Sequence, residues 1–174
     1  MSVTSLSPSG SSALTLRGSA ALSQFRQDKL VAALAGHRVT AINAEFWHFA
    51  AVSRELTREE HTRLDALLAY GADAEASEGH QYAFLVVPRL GTISPWSSKA
   101  TDIAHQCGFD KIVRIERGLA FSLDLRGGLD ADGRDAVLPL LHDRMTESVL
   151  DNADAAHALF HHYSPQPLTT VAII

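Results

Sequence analysis

The side chains with the most chemical capability lie together in Gly91-Thr92-Ile93-Ser94-Pro95-Trp96-Ser97-Ser98-Lys99-Ala100-Thr101-Asp102. This segment falls between an apolar, strand-like run and the expected start of a helix. Unpaired backbone N–H groups and the helix dipole there favour an anion or a polar partner. Thr92, Ser94, Ser97, Ser98 and Thr101 bring hydroxyls, Lys99 a cation, Asp102 a carboxylate and Trp96 an aromatic face. The plainer reading is a capped helix start with Trp96 packed down as a lid. It is not a P-loop, because no Gly-rich run precedes Lys99.

Other reactive residue types are scattered. Cys107 lies one residue before a helix-ending glycine on an apolar face. That is the negative end of the dipole, which disfavours a thiolate, so a buried small hydrophobe is expected. His157 and His161 are spaced i, i+4 with His162 beside them, but no acidic or cysteine ligand stands nearby to complete a metal site. Arg114, Glu116 and Arg117 fall along a strand. His142, Asp143, Arg144 and Glu147 are expected to form a charged helix face whose ion pairs count for little if solvated. No Ser-His-Asp ordering, dinucleotide-binding glycine loop or paired-carboxylate motif is present, so neither a catalytic residue nor a metal site is assigned.

These groups must be positioned by a chain of 174 residues, 46% apolar and 20% charged, with a formal net charge of -5. Such a chain builds a substantial core. Fifteen basic residues against twenty acidic ones, with lysine only at positions 29, 99 and 111, offer no electrostatic basis for nucleic-acid binding. No apolar run approaches the roughly 20 residues that span a bilayer. Arg17 is the first basic residue and follows no long apolar stretch, so no secretory signal is expected. One cysteine forms no internal disulfide. A cytoplasmic α+β protein without membrane or nucleic-acid partners is expected.

Residues 1–13 read as a disordered leader, 14–150 as one domain and 151–174 as the start of a linker region. Leu14 to Arg17 reads as a short strand broken at Gly18-Ser19, with Ser19 capping a helix over 20–35. Leu22, Phe25, Leu30, Ala33 and Leu34 form its stripe, and Gly36 ends it in a left-handed turn. Residues 38–52 read as one long strand or a bent hairpin. Thr57 and Glu60 form a capping box for a helix carrying Leu64, Leu67 and Leu68 inward and ending at Gly71. Residues 72–80 read as a polar loop, and 81–89 as a strand buried on both faces at its centre. Ser98 reads as the cap of the next helix. Residues 111–116 and 118–125 read as two strands paired around Arg117-Gly118, and 127–133 as a turn. A helix then carries Val137, Leu140, Leu141, Met145 and Val149. A last helical piece, 152–162, precedes the Pro165/Pro167 pair. The apolar, β-prone run 168–174 reads as the start of a strand. The order strand–helix–strand–helix occurs twice, offset by roughly 75 residues. The expected fold is therefore α+β: two pseudo-repeated ferredoxin-like halves forming a continuous antiparallel sheet with helices packed on it.

From Pro88 through Ser94-Pro95-Trp96-Ser97-Ser98-Lys99-Ala100-Thr101-Asp102-Ile103-Ala104-His105 to Arg114-Ile115-Glu116-Arg117-Gly118, the chain resembles the N-terminal domain of phosphoribosylformylglycinamidine synthase. This is the large single-chain form, also called formylglycinamide ribonucleotide amidotransferase. Leu16-Arg17-Gly18-Ser19, Ala44-Glu45-Phe46-Trp47-His48-Phe49 and Leu141-His142-Asp143-Arg144-Met145-Thr146-Glu147 agree. The resemblance implies an assembly and interface domain, similar to a fused pair of small subunits, within an ATP- and glutamine-dependent ligase of purine biosynthesis. It implies no cofactor in this chain, with ATP and Mg²⁺ bound elsewhere in the parent enzyme. The synthetase and glutaminase domains of that enzyme are the implied partners. Neither the ATP site nor the glutaminase cysteine matches anything here. The alternatives are a stand-alone ferredoxin-like ligand-sensing or adaptor module and, behind it, a metalloenzyme using His157, His161 and His162.

Overall fold

The computed structural model describes residues 12–72, 82–127 and 131–161. Among them, one five-stranded antiparallel sheet has the order β1-β2-β4-β3-β5, formed by β1 (Ser12–Ala20), β2 (Val39–Val52), β3 (Tyr82–Pro88), β4 (Ile112–Leu125) and β5 (Glu147–Leu150). The α-helices are α1 (Gln24–Leu34), α2 (Arg58–Leu68), α3 (Pro95–Gln106) and α4 (Ala131–Leu141). None of the helices described is long and apolar enough to cross a membrane. Residues 39–52 and 58–68 are matched, 73 residues later, by a second strand and helix at 112–125 and 131–141. The features expected at 1–11, over most of the loop 72–80, at 128–130, at His162 and over 163–174 lie outside the described residues.

Alternation along the strands assigns the faces. Ile42, Ala44, Phe121, Leu123 and Phe84 pack with Leu34 of α1 and with Val137 and Leu141 of α4. Ala50, Val52 and Ile115 pack with Leu64 and Leu68 of α2 and with Ala104 of α3. All of these helices thus cover one face, as two pairs. On the opposite face, Phe49, Leu85 and Val87 pack against Ala156 and Leu159 of a 3-10 helix over 154–160.

Several local expectations change for tertiary reasons. β1 does not end at Gly18-Ser19: its register on β2 shifts there, between Arg17 and Ala20, but the strand continues to Ala20, and α1 starts later with Ser23 at its cap. Gly18 serves close packing: a Cβ there would sit 2.7 Å from His48 Cε1 and 2.9 Å from the Phe46 carbonyl oxygen. α1 ends in a 3-10 turn over 35–37, and the left-handed residue is Arg38 (φ 64) instead of Gly36. Phe25, expected in the apolar stripe, is 75% exposed. The expected strand or hairpin over 38–52 resolves into one strand, Val39–Val52. Ile112–Leu125 also forms a single strand instead of two, because Gly118 is a contact point and not a turn. Its missing Cβ would lie 2.9 Å from the Val86 carbonyl oxygen and 3.0 Å from Val87 Cγ1.

The capping box forms as expected, with the Glu60 amide donating to Thr57 Oγ1 and the Thr57 amide donating to the Glu60 carboxylate. α3, however, is capped by Ser94 and not by Ser98. Pro95 at the first helical position, where its missing N–H costs nothing, fixes that start. Cys107 is exposed at the end of α3 and is not a core residue. α4 stops two residues after Pro139, which removes a helical N–H and crowds the preceding turn. The residues expected on its last turns instead form the bend 142–146 and the unanticipated strand β5.

Gly118→Ala is expected to destabilise the chain by about 1–3 kcal/mol, the cost of forcing a methyl into packed backbone. Gly36→Ala, where nothing lies within 4 Å and φ is negative, should be neutral or slightly stabilising. Urea unfolding of the two variants checks the contrast in sign.

Candidate functional site

The two helix pairs leave the middle of their face of the sheet uncovered, at the directly paired residues Phe46 and Leu119. A groove of about 430 Å³ opens there. Its floor is Phe46, Val86, Gly118 and Leu119, one wall is Ser94 to Trp96 with Arg117, and the other is Met145 to Glu147. Arg89, Thr92 and Ile93 close one end.

Arg117 is held flat. Its guanidinium lies 4.3 Å from the centre of the Phe46 ring and 4.8 Å from that of Trp96, and Nη1 donates to Tyr70 Oη at 3.1 Å. Cation–π contact with two rings holds the charge, and among the described residues no carboxylate pairs with it. Beside it, His48 is fully buried, with Nε2 2.7 Å from Tyr70 Oη and its ring against Trp96 and Tyr70. Burial, reinforced by the positive charge of Arg117, lowers the His48 pKa from 6.5 to about 4. The imidazole is therefore neutral at pH 7.

Behind the groove, on the other face of the sheet, lies a buried charge network. β4 pairs with β3 only through residues 119–123, so its first half extends past the end of β3. The loop before α3 fills that gap. The fully buried Glu116 carboxylate accepts from the Ser94 amide at 3.2 Å and from Ser94 Oγ at 2.8 Å, and it pairs with Arg114 at 3.2 Å. Arg114 also donates to the Leu159 carbonyl at 2.6 Å and lies over the Phe160 ring. Ser94 thus caps α3 and anchors the loop in one step. Thr101 completes the junction by accepting from the Ile115 amide of the uncovered strand edge at 3.0 Å.

The anticipated residues divide accordingly. Thr92, Ser94, Trp96 and Arg117 meet at the groove, while Arg114, Glu116 and Thr101 brace it from behind. Ser97 is buried and its amide donates to Ser94 Oγ. Ser98, Lys99 and Asp102 are exposed along α3 and do not line the groove. His142 and Arg144 lie in the bend after α4, not on a helix face; His142 Nδ1 contacts the Leu138 carbonyl and Arg144 is exposed. Phe46, His48, Tyr70, Arg89 and Met145 were not anticipated as site residues. Phe46 and His48 share one side of β2 by their two-residue spacing, which would have flagged them only once Arg117 was known to lie opposite His48.

The arrangement offers an aromatic-clamped cation, a neutral buried imidazole hydrogen-bonded to Tyr70 and an apolar floor, a composition suited to recognition. Among the described residues, no three His, Cys, Asp or Glu side chains converge on a metal position. Residues 45–160 match the family model described as formylglycinamide ribonucleotide amidotransferase N-terminal.

Proposed function

The chain belongs to the formylglycinamide ribonucleotide amidotransferase N-terminal family, and from that premise we propose that it is the assembly domain of this purine-biosynthetic enzyme. In that role it docks against the synthetase core and helps to orient the glutaminase. ATP activation of the formylglycinamide ribonucleotide amide and ammonia release from glutamine take place in those other domains. The residues here supply binding surface and alignment. ATP and Mg²⁺ belong to the synthetase, and the working compartment is the cytoplasm.

The fold supports this reading through its asymmetry. The two β-α-β-α units descend from a tandem repeat of the fused-small-subunit kind, each half ferredoxin-like. Shifting β4 back by 73 residues places Arg117 on Ala44 and Glu116 on Asn43. Aligning the helix caps Ser94 and Ser23 places Trp96 on the exposed Phe25. Arg117, Trp96 and the buried Glu116 come from the second half and have no counterpart at these positions in the first, which contributes Phe46 and Tyr70 to the same clamp. A purely architectural feature would recur in both halves, so this groove is the specialised surface and carries the proposal.

The test uses the full-length enzyme with Trp96→Ala and, separately, Lys99→Ala. Trp96→Ala is expected to lower the glutamine-dependent rate by about tenfold, the effect of losing an aromatic interface anchor. The ammonia-dependent rate, which needs no alignment with the glutaminase, should change far less. Lys99→Ala, on the outer side of α3, should produce the smaller effect. Unchanged rates in both variants would remove the 92–102 segment from the functional surface.

A further inference from the structure

We infer that the groove over Phe46 and Leu119 receives an apolar side chain from an acidic segment of the enzyme's other domains, with a carboxylate of that segment on Arg117. This rests on the assembly reading and names the chemistry of the partner.

Charge is the first argument. The chain carries a net charge of -5, yet among the described residues the groove is lined by two arginines, Arg89 and Arg117. Arg117 is pinned between two rings with one Nη on Tyr70. Among the described residues, no carboxylate pairs with it or with Arg89, whose guanidinium donates to the Met145 carbonyl at 3.3 Å. Glu147, the one acid of the lining among the described residues, is engaged by the Asp143 amide at 2.7 Å. Arg117 therefore presents a pre-oriented fork with most of its donors uncommitted, the arrangement that favours a bidentate carboxylate.

Apolar exposure is the second. Ile93 and Met145 flank the opening and are 60% and 74% exposed. They stand above Val86, Leu119, Phe46 and Trp96, so the exposed apolar surface is continuous with the floor. A Trp and an Arg beside a pocket ringed by apolar side chains form the usual composition of an interface hot spot. The groove is shallow and open along its length, which suits a side chain presented by a folded segment better than an enclosed small molecule.

Single cysteines at the mouth report occupancy. In a Cys107→Ser background, Ile93→Cys and Met145→Cys are alkylated with a maleimide in the full-length enzyme and in this chain alone, and labelling is read at the introduced site by peptide mass spectrometry so that the glutaminase cysteine does not contribute. The expected result is labelling slower by at least about tenfold in the full-length enzyme, as for residues sealed within a packed interface. That protection should weaken at high salt and with Arg117→Gln, and survive in part with Arg117→Lys. Arg89→Glu provides a second charge test at the rim should Arg117 variants fold poorly. Equal labelling in both forms overturns the inference. Protection indifferent to salt and to both arginine substitutions overturns the acidic partner. Protection that appears in the isolated chain with rising concentration makes the occupant a second copy, and protection removed by dialysis makes it a small molecule; either result overturns the inference. Co-elution of this chain with the separately expressed remainder of the enzyme separates the two readings. Co-elution with an unprotected groove leaves the assembly role standing without this site, whereas failure to associate removes both.

Discussion

Glu116→Ala is expected to cost about 3–5 kcal/mol of unfolding free energy, the range seen when one partner of a buried ion pair is removed. Glu116 is fully buried and its carboxylate is used on every side: the Ser94 amide and hydroxyl on one, the Arg114 guanidinium on the other. Truncation leaves Arg114 largely covered without an acid, and Arg114 Nε already has no partner. It also releases Ser94, so the cap of α3 and the anchor of residues 92–94 are lost together. Glu116→Gln, which retains shape and one acceptor oxygen, should cost less than Glu116→Ala. Pairing Glu116→Leu with Arg114→Met should recover part of the loss, because a well-packed apolar pair avoids burying a lone charge. Urea unfolding supplies the energies. Amide exchange at the first turn of α3 shows whether the cap loosens first. Wild-type stability in Glu116→Ala would mean that the network is ornamental.

Acidification from pH 7 to pH 4.5 is expected to remove a large share of roughly 3 kcal/mol through His48 alone, the linkage value of its lowered pKa. The folded-state pKa is about 4 against 6.5 when unfolded. Between those values the unfolded chain binds more protons, so stability rises with pH there. The contribution is fully present above pH 6.5 and vanishes as pH falls through 4. The cause is spatial, since a second positive charge would have to form in a dry site beside Arg117. Carboxylates act lower on the scale. Glu60, held near pKa 2 chiefly by Lys111, and Asp143, lowered chiefly by the Met145 amide, lose their contributions below the ordinary carboxylate range. The variant His48→Gln, less stable at neutral pH, should show a flat profile between pH 6.5 and 4.5. An unchanged slope in that variant would place the acid sensitivity elsewhere.

The two predictions depend on different distances along the chain, and that difference explains what was legible beforehand. The Thr57–Glu60 box, the strand character of 39–52 and the apolar centre of 82–88 are local patterns, and they formed where the pattern placed them. The Ser94–Trp96 segment was recognisable because hydroxyls, proline and an aromatic cluster within a few residues. Errors fell where a residue's local habit was overruled by a neighbour distant in sequence. Gly18 and Gly118, turn formers by habit, lie inside strands because other strands approach too closely for a Cβ. Met145, apolar and in helical phase, stands on a bend whose carbonyls at 145 and 146 accept from Arg89.

Sequence by itself determined the α+β class, most element cores, the Thr57–Glu60 capping box, and a family resemblance resting on contiguous motifs, because these depend on residues within a turn or a strand of one another. Tertiary structure alone decided that Phe46, Tyr70, Trp96 and Arg117 would share a site. It also decided that Glu116 would be buried while Lys99 stays in solvent. Those outcomes follow from the register of β2 on β4 and the end of β3 short of β4, which bring together side chains that no local period relates.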